Sequence, residues 1–141
     1  MKISHSQVNK GDVLRFRKTM TVADQAMFTG ISGNLGGIYV DILKAKALGA
    51  ENMVVFELAA AGLATTCLAR LGGPTRRIAA FQLDYPAIVV VGDSIEASAE
   101  VLDVKGDAIR CRILGTRLSD AQTVFQGEAT LAPVKSWRDV R

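Results

Sequence analysis

The sequence predicts an α+β fold in which a curved antiparallel sheet wraps around one long central helix. Three observations carry the prediction. The stretch 53–71 is apolar at nearly every position, and a helix tolerates that only when protein surrounds it. Four later stretches alternate apolar and polar residues with a period of two, the mark of half-buried strands. Short turns join these stretches, so neighbours are expected to pair as an antiparallel meander. The apolar face of that sheet needs a cover, and the long helix is the only element large enough to supply one.

Taken in order, the first element is a strand over Asp12 to Met20, with Leu14, Phe16 and Met20 on one face and Arg15 and Arg17 on the other. Thr21, with Asp24 three residues on, makes a capping-box-like helix start. The short helix that follows is expected to run to about Thr29. A glycine-rich loop comes next, then a helix over Tyr39 to Leu48 stopped by Gly49. The central helix spans Met53 to Leu71, its Ala59, Ala60, Ala61, Gly62 and Ala64 allowing a sheet to approach closely, and Gly72-Gly73-Pro74 ends it. The four strands are Arg77 to Asp84, Ser94 to Val104, Ala108 to Thr116 and Thr123 to Val134. Lys105-Gly106-Asp107 is the hairpin turn between the second and third of them.

The chain has 141 residues, 49% hydrophobic and 22% charged. That suits one globular domain, residues 1–141, and excludes a disordered chain. The formal net charge of +3, with the basic residues spread along the chain, argues against a nucleic-acid partner. Its densest cluster is Arg76-Arg77, with Arg70 nearby. A solvated face is the ordinary reading of it, and contact with a ligand's phosphates the sharper one. Cys67 and Cys111 lie in apolar stretches without CxxC spacing and read as buried free thiols. The N-terminal Met1 to His5 is polar, without an apolar signal core. The run 53–69 is interrupted by Glu57 and is shorter than the ~20 residues of a spanning helix. A cytoplasmic protein with no membrane segment is expected. No His or Cys cluster has the spacing of a metal site.

The loop SGNLGGIYVD, residues 32–41, has the form of a site loop. Ser32-Gly33-Asn34 favours a turn, Gly36 and Gly37 free the backbone, and Tyr39 and Asp41 follow. The longer stretch FTGISGNLGGIYVDILKAKALGA resembles the signature region of MaoC-like, (R)-specific enoyl-CoA hydratases, roughly F-x-x-x-S-G-D-x-N-P-x-H-x-D ahead of a helix rich in Ala and Leu. FQLDYPAIVVVGDSIEASAEV resembles the family's strand, its P-V-x-x-G-D turn and the next strand, with Pro86, Gly92 and Asp93 matching directly. The resemblance covers about residues 8 to 134. It implies the hotdog fold and an acyl thioester of coenzyme A or acyl carrier protein as substrate or ligand, with no other cofactor.

In that family the signature's aspartate and histidine activate a water that adds across an enoyl thioester. A backbone N–H at the start of the central helix polarises the thioester carbonyl. Here the aspartate position is Asn34 and the histidine position Tyr39; the Asn-Pro pair is Gly36-Gly37, and a His-Gly pair near the helix start falls at about Phe56-Glu57. The chain's one histidine, His5, lies far from the motif in sequence. Asn34 hydrogen-bonds but does not titrate, and a tyrosine with its ordinary pKa near 10 is an acid and not a ready base. The resemblance therefore implies fold and ligand class ahead of hydratase activity.

Candidate catalytic residues are Asn34, Tyr39 and Glu57. Glu57 is the only charge between Met53 and Ala69. It is either a first-turn carboxylate favoured by the helix dipole or a base, as in hotdog thioesterases that resemble this arrangement. Asn34 and Tyr39 divide evenly between lining a site and holding the fold. Candidate ligand contacts are Ser32, Gly33, Gly36, Gly37, Phe56, Arg76 and Arg77. Asp41 reads as a solvated or capping residue, Asp84 and Asp93 as turn residues, and Trp137 as an anchor for the C-terminal tail. Three functions stay open: a hydratase or dehydratase with altered roles for these residues, an acyl-CoA thioesterase with Glu57 as base, and a non-catalytic subunit of a heteromeric hydratase. An open sheet edge predicts a homodimer joined edge to edge, with the acyl chain in an apolar tunnel at the dimer boundary, or pairing with another hotdog chain.

Overall fold

The computed structural model describes residues 7–134; His5 and Trp137 lie outside them. Five strands form one antiparallel sheet around a long helix. Strand β1 is Val13–Thr19, followed by helices α1 (Val22–Ser32), α2 (Gly37–Val40), α3 (Ile42–Ala47) and α4 (Glu57–Gly72). Strands β2 (Arg76–Asp84), β3 (Ser94–Lys105), β4 (Ala108–Arg117) and β5 (Thr123–Pro133) complete the chain. The α+β architecture is the one that the alternating strands and the apolar helix predict.

The sheet order is β1-β3-β4-β5-β2. Only β3, β4 and β5 form the expected meander. Strand β2 crosses to the far side of β5 and pairs along it from Arg76↔Pro133 to Asp84↔Gln126, while β1 takes the place beside β3. The alternation in β3 and β4 puts Ile95, Ala97, Ala99, Val101, Ile109, Cys111 and Ile113 on the buried face. Helix α4 fills the concavity with Ala60, Ala61, Leu63, Ala64, Cys67, Leu68 and Leu71. Small residues on α4 and β3 let helix and sheet come close enough to pack at interior density. Gly127 has a similar role between strands: a Cβ there would lie 1.9 Å from the Gln82 carbonyl oxygen.

Three helix boundaries differ from expectation. The chain over Met53 to Phe56 is extended, not helical. Val54 bridges Val90, Val55 N–H donates to the Val89 carbonyl, and Val91 N–H donates to that of Met53. Two adjacent valines suit an extended segment better than a helix, so α4 begins only at Glu57. The helix expected over Tyr39 to Leu48 is two, broken at Asp41, whose backbone is extended and whose carboxylate accepts from Leu43 and Lys44 N–H. Of the two roles its sequence position leaves open, solvated or capping, Asp41 is thus a cap. Helix α1 runs three residues past Thr29 to Ser32 and ends where Gly33 turns left-handed at φ 73. Nor is α4 enclosed on every side: Leu58, Thr65, Ala69 and Arg70 are exposed.

Candidate active site

The site is assembled at the N-terminus of α4. Phe56 occupies the cap position there and supplies no side-chain acceptor. The N–H groups of Glu57 and Leu58 have no hydrogen-bond partner among the described residues. Unpaired donors and the positive end of the helix dipole coincide at this point. Glu57, in the first turn, is half-buried.

The glycine loop lies over this helix end. Tyr39, on α2, donates its phenol to Glu57 Oε1 at 2.6 Å. Its ring stacks on Phe56 at 4.4 Å between centroids and 16° between planes, and Phe28 of α1 packs on Phe56 at 4.7 Å. The hydrogen bond to Glu57 pushes the Tyr39 pKa up to about 12, helped by burial and by the Glu57 charge. Tyr39 therefore keeps its proton at neutral pH and donates it to the carboxylate, which leaves Glu57 Oε2 without a protein partner among the described residues.

Asn34 shapes the loop and lines the same groove. Its Oδ1 accepts from Gly36 N–H at 2.8 Å, its own N–H donates to Ser32 Oγ at 3.1 Å, and its carbonyl accepts from Thr29 Oγ1. Ser32 Oγ in turn donates to the Phe28 carbonyl at 2.7 Å. Gly36 packs closely, since a Cβ there would approach Asn34 Oδ1 and the Tyr39 ring, each at 3.1 Å. Ser32, Gly33, Gly36 and Gly37 thus form the backbone of the loop that carries Asn34 and Tyr39.

Two spaces meet at Glu57. An open groove of about 330 Å³ is lined by Phe28, Asn34, Tyr39, Phe56, Glu57, Leu58 and Tyr85. A more enclosed cavity of about 100 Å³ is lined by Val54, Val55, Glu57, Ala60, Tyr85, Ala87, Ile88, Val89 and Val124. Glu57 and Tyr85 belong to both. The Tyr85 phenol is raised by burial and then by the Glu57 charge, so it too stays protonated at neutral pH.

Arg76 and Arg77 are not brought to this site. Arg76 closes the opposite end of α4, donating to the Gly72 carbonyl at 3.0 Å and the Asp107 carbonyl at 2.8 Å. Sixteen helical residues separate the two ends, roughly 24 Å at 1.5 Å per residue. The exposed Arg77 donates to the Ile78 carbonyl, and the Arg70 guanidinium lies over the Phe16 ring at 5.8 Å. The two arginines therefore join the fold's C-terminal helix end, away from Glu57 of the same chain. Asp93 closes a turn by accepting from Val90 N–H, and Asp84 ends β2. Burial raises both thiols, Cys111 to about 11, so neither is a ready nucleophile.

Gln25 and Tyr85 escape the reading from sequence. Gln25 is the one buried polar residue among those described, 4% exposed. Its Nε2 donates to the Tyr39 and Val54 carbonyls at 2.8 and 2.9 Å, and its Oε1 accepts from Phe56 N–H at 3.4 Å. One side chain thus fastens the loop, the extended segment and the helix start together. Nothing local marks Gln25, which sits in an ordinary amphipathic helix. Tyr85 carries a faint signal, the following Pro86, which biases it to an extended backbone.

No family model matches the chain, and no curated protein matches it in sequence. Among solved structures, the (R)-hydratase from A. caviae involved in PHA biosynthesis superposes with a TM-score of 0.85 at 21% identity, over 92% of this chain and 100% of that one. The R-hydratase PhaJ1 from Pseudomonas aeruginosa gives 0.82 at 19%, over 91% and 84%. The ChsH1-ChsH2 complex from Mycobacterium tuberculosis gives 0.79 at 19%, over 92% and 100%. Likeness at such low identity speaks for architecture, and with the sheet order and the central helix it makes this chain a hotdog fold.

Proposed function

We propose that this chain is a MaoC-like protein that binds an acyl thioester, carried by coenzyme A or acyl carrier protein, with Glu57 as the base of its chemistry. One observation supports the reading above all. The Tyr39–Glu57 pair stands at the uncapped start of α4, between an open groove and an apolar cavity. A thioester carbonyl set against the N–H groups of Glu57 and Leu58 would have its developing negative charge stabilised by donors already in place. Tyr39 is a positioning residue in this scheme. It fixes one carboxylate oxygen and leaves the other to take a proton from water.

One carboxylate and an oxyanion site suffice for hydrolysis. Water's oxygen bonds to the carbonyl carbon as Glu57 takes its proton. The carbon–sulfur bond then breaks, and the proton passes from Glu57 to the departing sulfur. Hydration of an enoyl chain needs a proton delivered to carbon instead, and the two positions where the MaoC-like signature carries its aspartate and histidine for that work hold Asn34 and Tyr39 here. The site's chemistry thus favours hydrolysis, although the hotdog fold is shared with (R)-hydratases. A second reading, a non-catalytic partner in a heteromeric hydratase, draws on the similarity in fold to chains of two complexes from Mycobacterium tuberculosis, ChsH1-ChsH2 and the 3R-hydroxyacyl-ACP dehydratase HadBC. A homodimer in the cytoplasm is the setting we propose for the first reading.

The test is purified protein with crotonyl-CoA, followed at the enoyl absorbance and with a thiol reagent. Free thiol is expected, and Glu57→Gln should slow its release by about 100-fold or more. Loss of the enoyl signal without thiol would establish hydration instead. Binding with neither product would favour the partner-subunit reading. An unchanged rate of thiol release in Glu57→Gln would remove Glu57 from the chemistry.

A further inference from the structure

We infer that the cavity behind Glu57 selects short acyl chains, of about four carbons, and excludes long ones; the inference rests on the acyl-thioester reading of the site. Glu57 and Tyr85 border both spaces. A thioester held at the first turn of α4 therefore has one route for its carrier arm and another for its acyl chain. The groove is open and has Asn34, Tyr39 and Glu57 among its walls, which suits a hydrated, amide-bearing arm. The cavity is aliphatic apart from Glu57 and Tyr85, which suits hydrocarbon.

Volume then sets the length. A cavity of about 150 Å³ lined by aliphatic and aromatic side chains admits benzene, six carbons. A space of about 100 Å³ scales to about four. Its inner walls do not yield readily. Val55, Ala60, Val89 and Val124 are 5% exposed or less and belong to the main core cluster. A longer chain has to displace packed side chains, which interiors at crystal-like density resist. The outer wall is different, for Ala87 is half-buried and Ile88 is exposed, so substitutions there change the cavity without hollowing the core.

The experiment is a calorimetric titration of the full chain with S-alkyl phosphopantetheines, from methyl to decyl. These carry the arm that coenzyme A and acyl carrier protein share and have no thioester carbonyl to react. Affinity is expected to rise to butyl and to fall by about tenfold or more by octyl. Ala87→Leu, which fills the cavity from its outer side, should weaken butyl about tenfold relative to methyl. Val124→Ala should move the optimum to longer chains; should that core variant not fold, Ala87→Leu still decides. Equal affinity at every length, or affinity rising through decyl, would overturn the selection while leaving the thioester reading standing. Binding by no member of the series would contradict that reading, and the inference with it.

Discussion

At the scale of single residues, the contact between Tyr39 and Glu57 governs both the chemistry and its pH behaviour. Because the folded Tyr39 holds its proton to about 12, against about 10 in an unfolded chain, the folded state binds more protons between those values. Its contribution to stability is complete below pH 10 and is lost as pH rises toward 12. Ultraviolet titration should therefore show tyrosinate forming late, and Tyr39→Phe should remove one tyrosine's share of the late change, leaving that of Tyr85, which burial also raises. Glu57→Gln, which deletes the charge, should bring the Tyr39 transition back toward 10. A Tyr39 transition near 10 in the unaltered protein would mean the pair does not form. Gln25 acts by a different route. Gln25→Ala would strand two carbonyls and an N–H that now meet its side chain. Leaving a buried polar group unpaired costs ~1–3 kcal/mol, so urea unfolding should show a loss of about 3 kcal/mol.

Among the elements, α4 and β2 carry the site's geometry. Its cavity needs Tyr85 placed where β2 ends, and β2 holds its register against β5 at Gly127↔Leu83. Gly127→Ala puts a methyl group against the Gln82 carbonyl, and overpacking of this kind costs ~1–3 kcal/mol. A lowered denaturation midpoint with weakened ligand binding is expected; unchanged stability would show that the strands separate freely. The same scale explains what could be read from sequence. Alternation over β3 and β4 and the small residues of α4 were legible because each pattern repeats within one element. The start of α4 was not, since Met53-Val54-Val55-Phe56 is apolar whether helical or extended, and only pairing with Val89–Val91 decides it. Likewise the loop's Asn34 and Tyr39 stood out beside Glu57, but the bond across 18 residues between Tyr39 and Glu57 is a product of tertiary structure. The place of β2 beyond β5, and so the distance of Arg76 and Arg77 from Glu57, follows from a crossover that no local pattern announces.

For the whole molecule, the sheet ends in two edges, β1 and β2. Along β2, Arg77, Ile78, Ala79 and Ala80 are exposed. Apolar residues on an unpaired edge invite pairing with another strand, and a two-fold axis satisfies both copies at once. Light scattering is expected to give twice the chain's 15.0 kDa; a monomer at all concentrations would leave that edge without its expected cover. Among the described residues no helix is long and apolar enough to cross a membrane.

A crystal structure of Glu57→Gln with crotonyl-CoA decides whether an acyl thioester is held at the start of α4 beside residue 57. The thioester oxygen is expected within hydrogen-bonding distance of the residue 57 and Leu58 N–H groups, with the crotonyl carbons in the cavity beside Val89 and Val124. A ligand seated elsewhere, or one whose carbonyl points away from those donors, would contradict that placement.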